Sequence, residues 1–312
     1  RDRIRAGLAR RAAKTDVAGA DTDAWVDARL DRLRDVSSLD ATARDAEVVI
    51  EAALEDLDAK RAIFRALDAA ASVDTVLATN TSALSVTAIA AATTHPERVL
   101  GLHFFHPVPV MRLVELVVTS QVSRNVVARA EALVSGWGKT AVHCADTPGF
   151  IVNRVNRPYT IEALRLLESG EATVEEIDAA MRSAGFPMGP FELMDLVGID
   201  VNLAAATGVW EGLGRPDHLR PSPIQAELVE AGRLGRKTGR GFYRYIDGRP
   251  DGVDVEPTLA RRTAPRPGSI RDRIVAAVAA EARRVVRDGI ATPGDVDLAL
   301  RLGAGHPRKL VT

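Results

Sequence analysis

The chain has 312 residues, 46% of them hydrophobic and 27% charged, which suits about two ordinary globular domains, each burying its own core. Its 41 Lys and Arg against 42 Asp and Glu leave a formal net charge of -1, which removes the electrostatic basis for expecting a nucleic-acid or membrane-surface partner. Cys144 is the only cysteine, so neither an intrachain disulfide nor a cysteine-rich metal site is expected, and a reducing cytoplasm is the fitting compartment.

No apolar run approaches the ~18 residues of a membrane span, and the first residues do not read as a signal peptide. Over residues 1–14, Ile4, Leu8 and Ala12 share one stripe among arginines, the pattern of a helix with a solvated face. An acidic stretch from Asp16 to Asp31 follows. A chain that begins inside an element is expected to lack its first elements. Residues 46–54 form a Val- and Ile-rich apolar run of strand length, the mark of a strand covered on both faces. Helical spacing of Leu57, Ile63, Phe64, Leu67 and Ala71 comes next, then a strand at 75–80 and a helix opened by Ser85 as N-cap. Strands are predicted at 99–105, 113–119 and 140–145, with a helix at 123–136 before the last of them. This alternation predicts a parallel, doubly wound α/β sheet that ends near Pro148.

From Gly149 onward the periodicity is helical and repeats itself. One constant offset carries Arg154 onto Arg273, Glu162 onto Glu281, Arg165 onto Arg284, Gly170 onto Gly289, Thr173 onto Thr292 and Asp178 onto Asp297. That is a duplicated helical unit. Residues 247–269, rich in Pro, Gly and Arg, read as the linker between copies. The second copy, 270–312, stops soon after its match to residues 186–190 and is expected to be incomplete.

Several groups can carry chemistry. Glu115 sits in the apolar strand Leu113 to Val118, where a buried carboxylate needs a partner. His103 lies in the strand before it, and a histidine held by a carboxylate is a suitable general base near neutral pH. Either residue alone reads equally as a satisfied core group. Asn80, Thr81 and Ser82 follow a strand's carboxyl end, where open α/β sheets bind ligands. Residues 146–154 (DTPGFIVNR) open a helix with Pro and Gly and place Asn153 and Arg154 in its first turns. Residues 237–243 (KTGRGFY) make a glycine-flanked basic loop.

In combination these segments resemble the 3-hydroxyacyl-CoA dehydrogenase family. The resemblance rests on ATNTSAL at 78–84, GLHFFHPVPVMRLVEL at 101–116, DTPGFIVNR at 146–154, GFPMGPFELMDLVGID at 185–200 and KTGRGFY at 237–243. It implies an N-terminally truncated Rossmann-type sheet, an NAD-binding domain over 1–148. An all-α C-terminal domain over 149–246 follows, and then the linker and second helical unit. It implies His103 as catalytic base, Glu115 as its orienting carboxylate, and Ser82 and Asn153 as hydrogen-bond partners of the reacting oxygen and the thioester. Glu55, Lys60, Ser82 and Lys237 fall on positions that contact the nicotinamide half of NAD. Lys14 falls on a CoA-contacting position, beside Ser82 and Asn153 as substrate contacts. The substrate implied is an acyl-CoA, in fatty acid or related degradation, and the partner a second copy in a homodimer. Phe150, Ile151, Met181, Phe191, Leu193 and Met194 suit either that surface or the local core.

Two departures from the family pattern stand out. His106 replaces a cofactor-contacting Asn, which is expected to alter cofactor affinity more than chemistry. The glycine-rich turn that seats the pyrophosphate is not found: residues 136–141 spell G-x-G-x-x-A, but between a helix and a strand, the reverse of the required order. The leading reading is an oxidoreductase converting L-3-hydroxyacyl-CoA to 3-ketoacyl-CoA with NAD. A reductive 3-hydroxybutyryl-CoA or a hydroxyadipyl-CoA enzyme is an alternative, as is a remnant that binds acyl-CoA without dinucleotide.

Overall fold

A computed structural model describes residues 1–15, 21–255 and 267–312. α1 (Asp2–Thr15) and α2 (Thr22–Leu30) pack on each other and are tied by an Arg5–Asp27 ion pair of 2.6 Å. On the predicted stripe of α1 only Ala12 is buried while Ile4 is exposed, so the arginine-rich face is solvated as read. The sequence reading assigns no helix at α2 or at α3 (Leu39–Ala43). Both are short and depend on their caps, with Asp21 accepting from the Ala24 N–H and Ser38 from the Ala41 N–H. Of the acidic stretch, residues 16–20 lie outside the described residues.

Five strands lie side by side in chain order: β1 (Val48–Glu51), β2 (Val76–Thr79), β3 (Val99–Phe104), β4 (Leu113–Val118) and β5 (Thr140–Ala145). α4 (Leu57–Ala70) joins β1 to β2, α5 (Val86–Ala90) joins β2 to β3, and α6 (Arg124–Gly136) joins β4 to β5. Ser85 caps α5 as expected, accepting from the Ala88 N–H at 3.1 Å. β1, β2 and β3 run parallel, as do β4 and β5, but β3 and β4 are antiparallel. The sheet is parallel and doubly wound as expected apart from that seam, where residues 105–112 contain no helix and a parallel crossover takes about a dozen residues or more. The strand predicted at 46–54 is also shorter than expected. After Glu51 the chain leaves the sheet, with Leu54 exposed, to reach Asp56, the cap of α4. Gly101 of β3 allows the close seam: a Cβ there would stand 2.8 Å from Val117 Cβ.

The helical half comprises α7 (Val152–Val155), α8 (Arg157–Glu168), α9 (Val174–Ser183), α10 (Pro190–Val197), α11 (Ile199–Gly212) and α12 (Pro223–Glu230), then α13 (Pro267–Arg287) and α14 (Pro293–Ala304). Within the predicted linker, residues 249–253 instead form a strand. β6 (Tyr243–Ile246) and β7 (Arg249–Val253) make a hairpin about Asp247-Gly248, whose φ values of 48° and 73° are those of a tight mirror-image turn. Linker residues 256–266 lie outside the described residues.

The duplication is structural in detail. Thr173 and Thr292 cap α9 and α14, and Gly170 and Gly289 share a left-handed φ of 67° and 69°. Asp178 accepts from the Phe191 and Glu192 N–H groups, and Asp297 from those of Leu310 and Val311, the equivalent positions. The copies also exchange ion pairs: Arg154 of the first takes Glu281 of the second at 2.7 Å, while Arg273 of the second takes Glu162 of the first at 2.5 Å. Such reciprocity is the geometry of a two-fold contact, here within one chain. Phe150, Ile151, Met181, Phe191 and Met194 are buried in this domain's core and Leu193 packs partly buried against it, so all six serve local packing.

Candidate active site

The antiparallel seam sets His103 directly opposite Glu115. Their side chains meet at 2.6 Å between Nδ1 and Oε2. Glu115 is fully buried, and its other oxygen accepts from the Ile151 N–H at 3.1 Å and the Val152 N–H at 2.7 Å. With one oxygen taken by two backbone N–H donors, Glu115 presents the other as an acceptor to the ring, and the tautomer that satisfies it donates from Nδ1 and leaves the lone pair on Nε2. The ring is held against Phe105 and Phe150, with centroids 4.6 and 5.7 Å away.

The turn before α7 produces this arrangement. Gly149 has φ 78° and Phe150 φ 48°, both left-handed. A Cβ on Gly149 would meet Val209 at 2.6 Å and the Arg154 nitrogen at 3.1 Å. This strained corner turns the next two N–H groups onto Glu115. Asp146 fixes the corner to α5, accepting from Ser85 Oγ, the Val86 N–H and the Thr87 N–H at 2.8, 3.1 and 2.7 Å. Cys144 nearby is inert: burial, with the charges of Glu115 and Asp146, pushes its thiol well up.

A second cluster lies at the carboxyl ends of β1 and β2. Glu55 Oε1 accepts from Thr81 Oγ1 at 2.6 Å and the Ser82 N–H at 2.9 Å, and Ser82 Oγ stands 3.4 Å away. Partial burial raises the Glu55 pKa, but the Thr81 and Ser82 bonds and the Lys60 charge outweigh it and hold the carboxyl below its usual range. Asn80 Oδ1 accepts from the Phe104 N–H at 2.9 Å, joining this end of β2 to β3. Asn153 Nδ2 reaches the Ser82 carbonyl at 3.5 Å, linking the two clusters. Ser82, Phe105, Val152 and Asn153 line one wall of a cleft of about 580 Å³ between the sheet and the helical half.

Other expected residues stand elsewhere. Lys60 is 1% exposed, and its ammonium is occupied by Glu51 at 2.7 Å, Glu55 at 3.4 Å and the Ala53 carbonyl at 3.5 Å. It positions the Glu55 loop, its ammonium turned to these acceptors. Lys237 pairs with Asp200 at 2.6 Å beside Gly198, away from the His103 cluster. His106 is exposed on the β3–β4 connection, and Lys14 is exposed at the end of α1. The structure brings none of these three to the paired clusters. Sequence reasoning missed Glu51, Thr79 and Arg157, and gave Asp146 no role of its own. Glu51 had a signal, a carboxylate in an apolar strand like Glu115. It is held by Lys60 and by Thr79 Oγ1 at 2.7 Å.

The donor set suits one half of a dinucleotide. Glu55, with its side chain 41% exposed, offers an acceptor for ribose hydroxyls where parallel strands end. Among the described residues no glycine-rich strand-to-helix turn adjoins the sheet to take a pyrophosphate. The residue 136–141 match falls between α6 and β5, as expected of a decoy.

Comparisons with known proteins agree with this geometry. Residues 1–147 match the family model for the 3-hydroxyacyl-CoA dehydrogenase NAD binding domain. Residues 149–245 and 268–312 match that for the C-terminal domain of the same family. A 3-hydroxyadipyl-CoA dehydrogenase of Escherichia coli is 50% identical over 228 residues, covering 73% of this chain and 48% of that protein, so the chain spans about half that relative's length. The mitochondrial hydroxyacyl-coenzyme A dehydrogenase of Sus scrofa is 43% identical, covering 72% of this chain and 71% of its own. A crystal structure of a 3-hydroxybutyryl-CoA dehydrogenase from Escherichia coli superposes with a TM-score of 0.87 at 34% identity, covering 99% of this chain and 82% of that one.

Proposed function

The chain belongs to the 3-hydroxyacyl-CoA dehydrogenase family, its first 147 residues to that family's NAD-binding domain, and on that premise we propose that it interconverts an L-3-hydroxyacyl-CoA and its 3-ketoacyl-CoA. The carrying observation is the His103–Glu115 pair, held at 2.6 Å with the His103 ring packed on Phe105, which lines the cleft. His103 accepts the 3-hydroxyl proton at Nε2. Glu115 keeps the proton on Nδ1 and stabilises the imidazolium that results. Ser82 and the Asn153 amide orient the substrate's oxygens, and Glu55 holds the nicotinamide end. NAD, when bound, supplies the acceptor for the hydride that leaves C3. In the reductive direction the same groups run in reverse, with imidazolium returning the proton. Relatives carry names for both hydroxyadipyl- and hydroxybutyryl-CoA, so the acyl group is decided by the cleft, in the degradation of fatty or related acyl-CoAs.

The test follows NADH formation with L-3-hydroxybutyryl-CoA and its loss with acetoacetyl-CoA, alongside NADH binding by fluorescence. Turnover abolished in His103→Ala supports the reading. Absent turnover with no NADH binding would replace it with acyl-CoA binding alone.

A further inference from the structure

Arg157 opens α8 and is buried, 6% exposed. Among the described residues the other buried arginines each have a carboxylate at 2.7 Å: Arg98 has Asp68 and Arg154 has Glu281. Arg157 has none among the described residues. The one hydrogen bond its guanidinium makes there is from Nη1 to the Asn202 carbonyl at a long 3.5 Å, and Nε has no partner. Burial draws its pKa down to about 10, so the group stays charged at neutral pH. The neighbouring amide is already engaged, since Asn202 Oδ1 accepts from Gln225 at 2.9 Å.

A buried cation without a counter-ion is costly and is kept where something else completes it. Arg157 lines the same cleft as Ser82 and Asn153 and is the one charged residue among those lining it. Beside the polar Asn156, Thr160 and Asn202, the lining includes Met188, Leu193, Val197 and Val201, surfaces that take methylenes. Asn153 and Arg157 are four residues apart across the α7–α8 junction, and both line this cleft. An acyl chain anchored at Asn153 therefore reaches Arg157 within a few carbons. Guanidinium matches carboxylate in a two-bond fork, and such a pair is strongest where water is excluded.

We propose that Arg157 binds a carboxylate at the far end of the acyl chain, so that the preferred substrates are CoA thioesters of short 3-hydroxy dicarboxylic acids. This rests on reading the cleft as the acyl site. A methyl-ended chain of equal length would leave the cation unpaired and lay its own terminus against it.

Calorimetric titration with adipyl-CoA and hexanoyl-CoA tests this without turnover, since both have the same carbon count and neither has a hydroxyl to oxidise. The expected preference is about 10- to 100-fold for adipyl-CoA, the worth of charged hydrogen bonds. Arg157→Met is expected to abolish it, and Arg157→Lys to retain part, keeping a cation without the fork. The native-protein ratio and Arg157→Lys decide the matter if Arg157→Met does not fold. Equal binding of the two thioesters by native protein, or a preference undiminished in Arg157→Met, overturns the proposal. Preference for adipyl-CoA without any NADH formation from the 3-hydroxy forms upholds the subsite and overturns the dehydrogenase reading instead.

Discussion

Glu115→Gln separates the charge of the site from its shape. The native carboxylate accepts from Ile151, Val152 and His103 at 3.1, 2.7 and 2.6 Å. Glutamine fills the same volume, and its carbonyl can go on accepting from the two backbone N–H groups. Its amide nitrogen then faces Nδ1. An amide NH₂ only donates, so the ring must accept there and carry its proton on Nε2. The lone pair proposed to take the substrate's proton is gone, although every atom stays within bonding distance. A wrong-tautomer substitution of this kind costs a serine-protease triad about 10⁴ in kcat, and general-base catalysis is worth about 10² to 10⁴. We therefore expect kcat to fall about 10²- to 10⁴-fold with KM little changed, because no group touching the CoA moves. Stability should fall by only about 1–2 kcal/mol, a charge-assisted bond exchanged for a neutral one. NADH formation measures the first effect, and nitrogen NMR of the His103 ring reads the tautomer directly. A ring that stays protonated on Nδ1 in the variant, with kcat within about fivefold of native, would refute the argument.

Other consequences follow from packing and charge. Gly101→Ala places a Cβ 2.8 Å from Val117 Cβ in the seam two residues from His103, and should cost about 1–3 kcal/mol in a denaturant titration. The exchanged ion pairs should prove unequal. Arg154→Gln strands the fully buried Glu281, whose other contacts are His218 at 2.9 Å and Arg284 at 3.1 Å, and should cost about 3 kcal/mol. Arg273→Gln, at a side chain 39% exposed, should cost below about 1 kcal/mol, and equal losses would disprove the asymmetry. His306 is packed against Phe186, bonded to Asn156 Oδ1 at 2.8 Å, and burial lowers its pKa to about 4. Between its ordinary value of about 6.5 and 4 the unfolded chain binds the proton and the folded chain does not. Its contribution should thus decline as pH falls through that window, by about 3 kcal/mol in all at ~1.4 per unit. Urea midpoints against pH for native protein and His306→Gln check this, and identical profiles would sink it.

What the sequence made legible was decided by whether a feature depends on neighbours in the chain or on neighbours in space. Strand runs, the Ser85 cap and the duplication are local patterns, and the structure has them. Pairing His103 with Glu115 was within reach because each sits alone and polar in an apolar strand. The antiparallel turn at residues 105–112 was readable in principle from the absence of a helix there, yet strand alternation elsewhere masked it. The role of Lys60 was not legible. The residue type suggests a surface contact, and only the fold shows its ammonium enclosed by Glu51, Glu55 and Ala53. Arg157 was still less so, since what sets it apart is a partner it does not have, and absence of a counter-ion has no sequence signature.

The second helical copy belongs to the site and is not an appendage to it. α14 packs against β4, β5 and α7, and Ala145 at the end of β5 donates its N–H to the Ile290 carbonyl at 2.8 Å. Gly303 approaches so closely that a Cβ there would stand 2.7 Å from Leu113 and 3.0 Å from Val152. Leu113 begins the strand that carries Glu115, and the Val152 N–H is one of the two that hold that carboxylate. Leu302, Gly303, Ala304 and Gly305 also line the cleft, together with Ser82 and Asn153. Close-packed interiors transmit displacement instead of absorbing it, so the position of α14 is coupled through two side chains to the His103–Glu115 pair. The ion pairs exchanged between copies set that position: Arg154, one residue beyond Asn153, is anchored in the second copy at Glu281. The second helical unit thus both steadies the turn that holds Glu115 and lines the cleft proposed to receive the acyl chain.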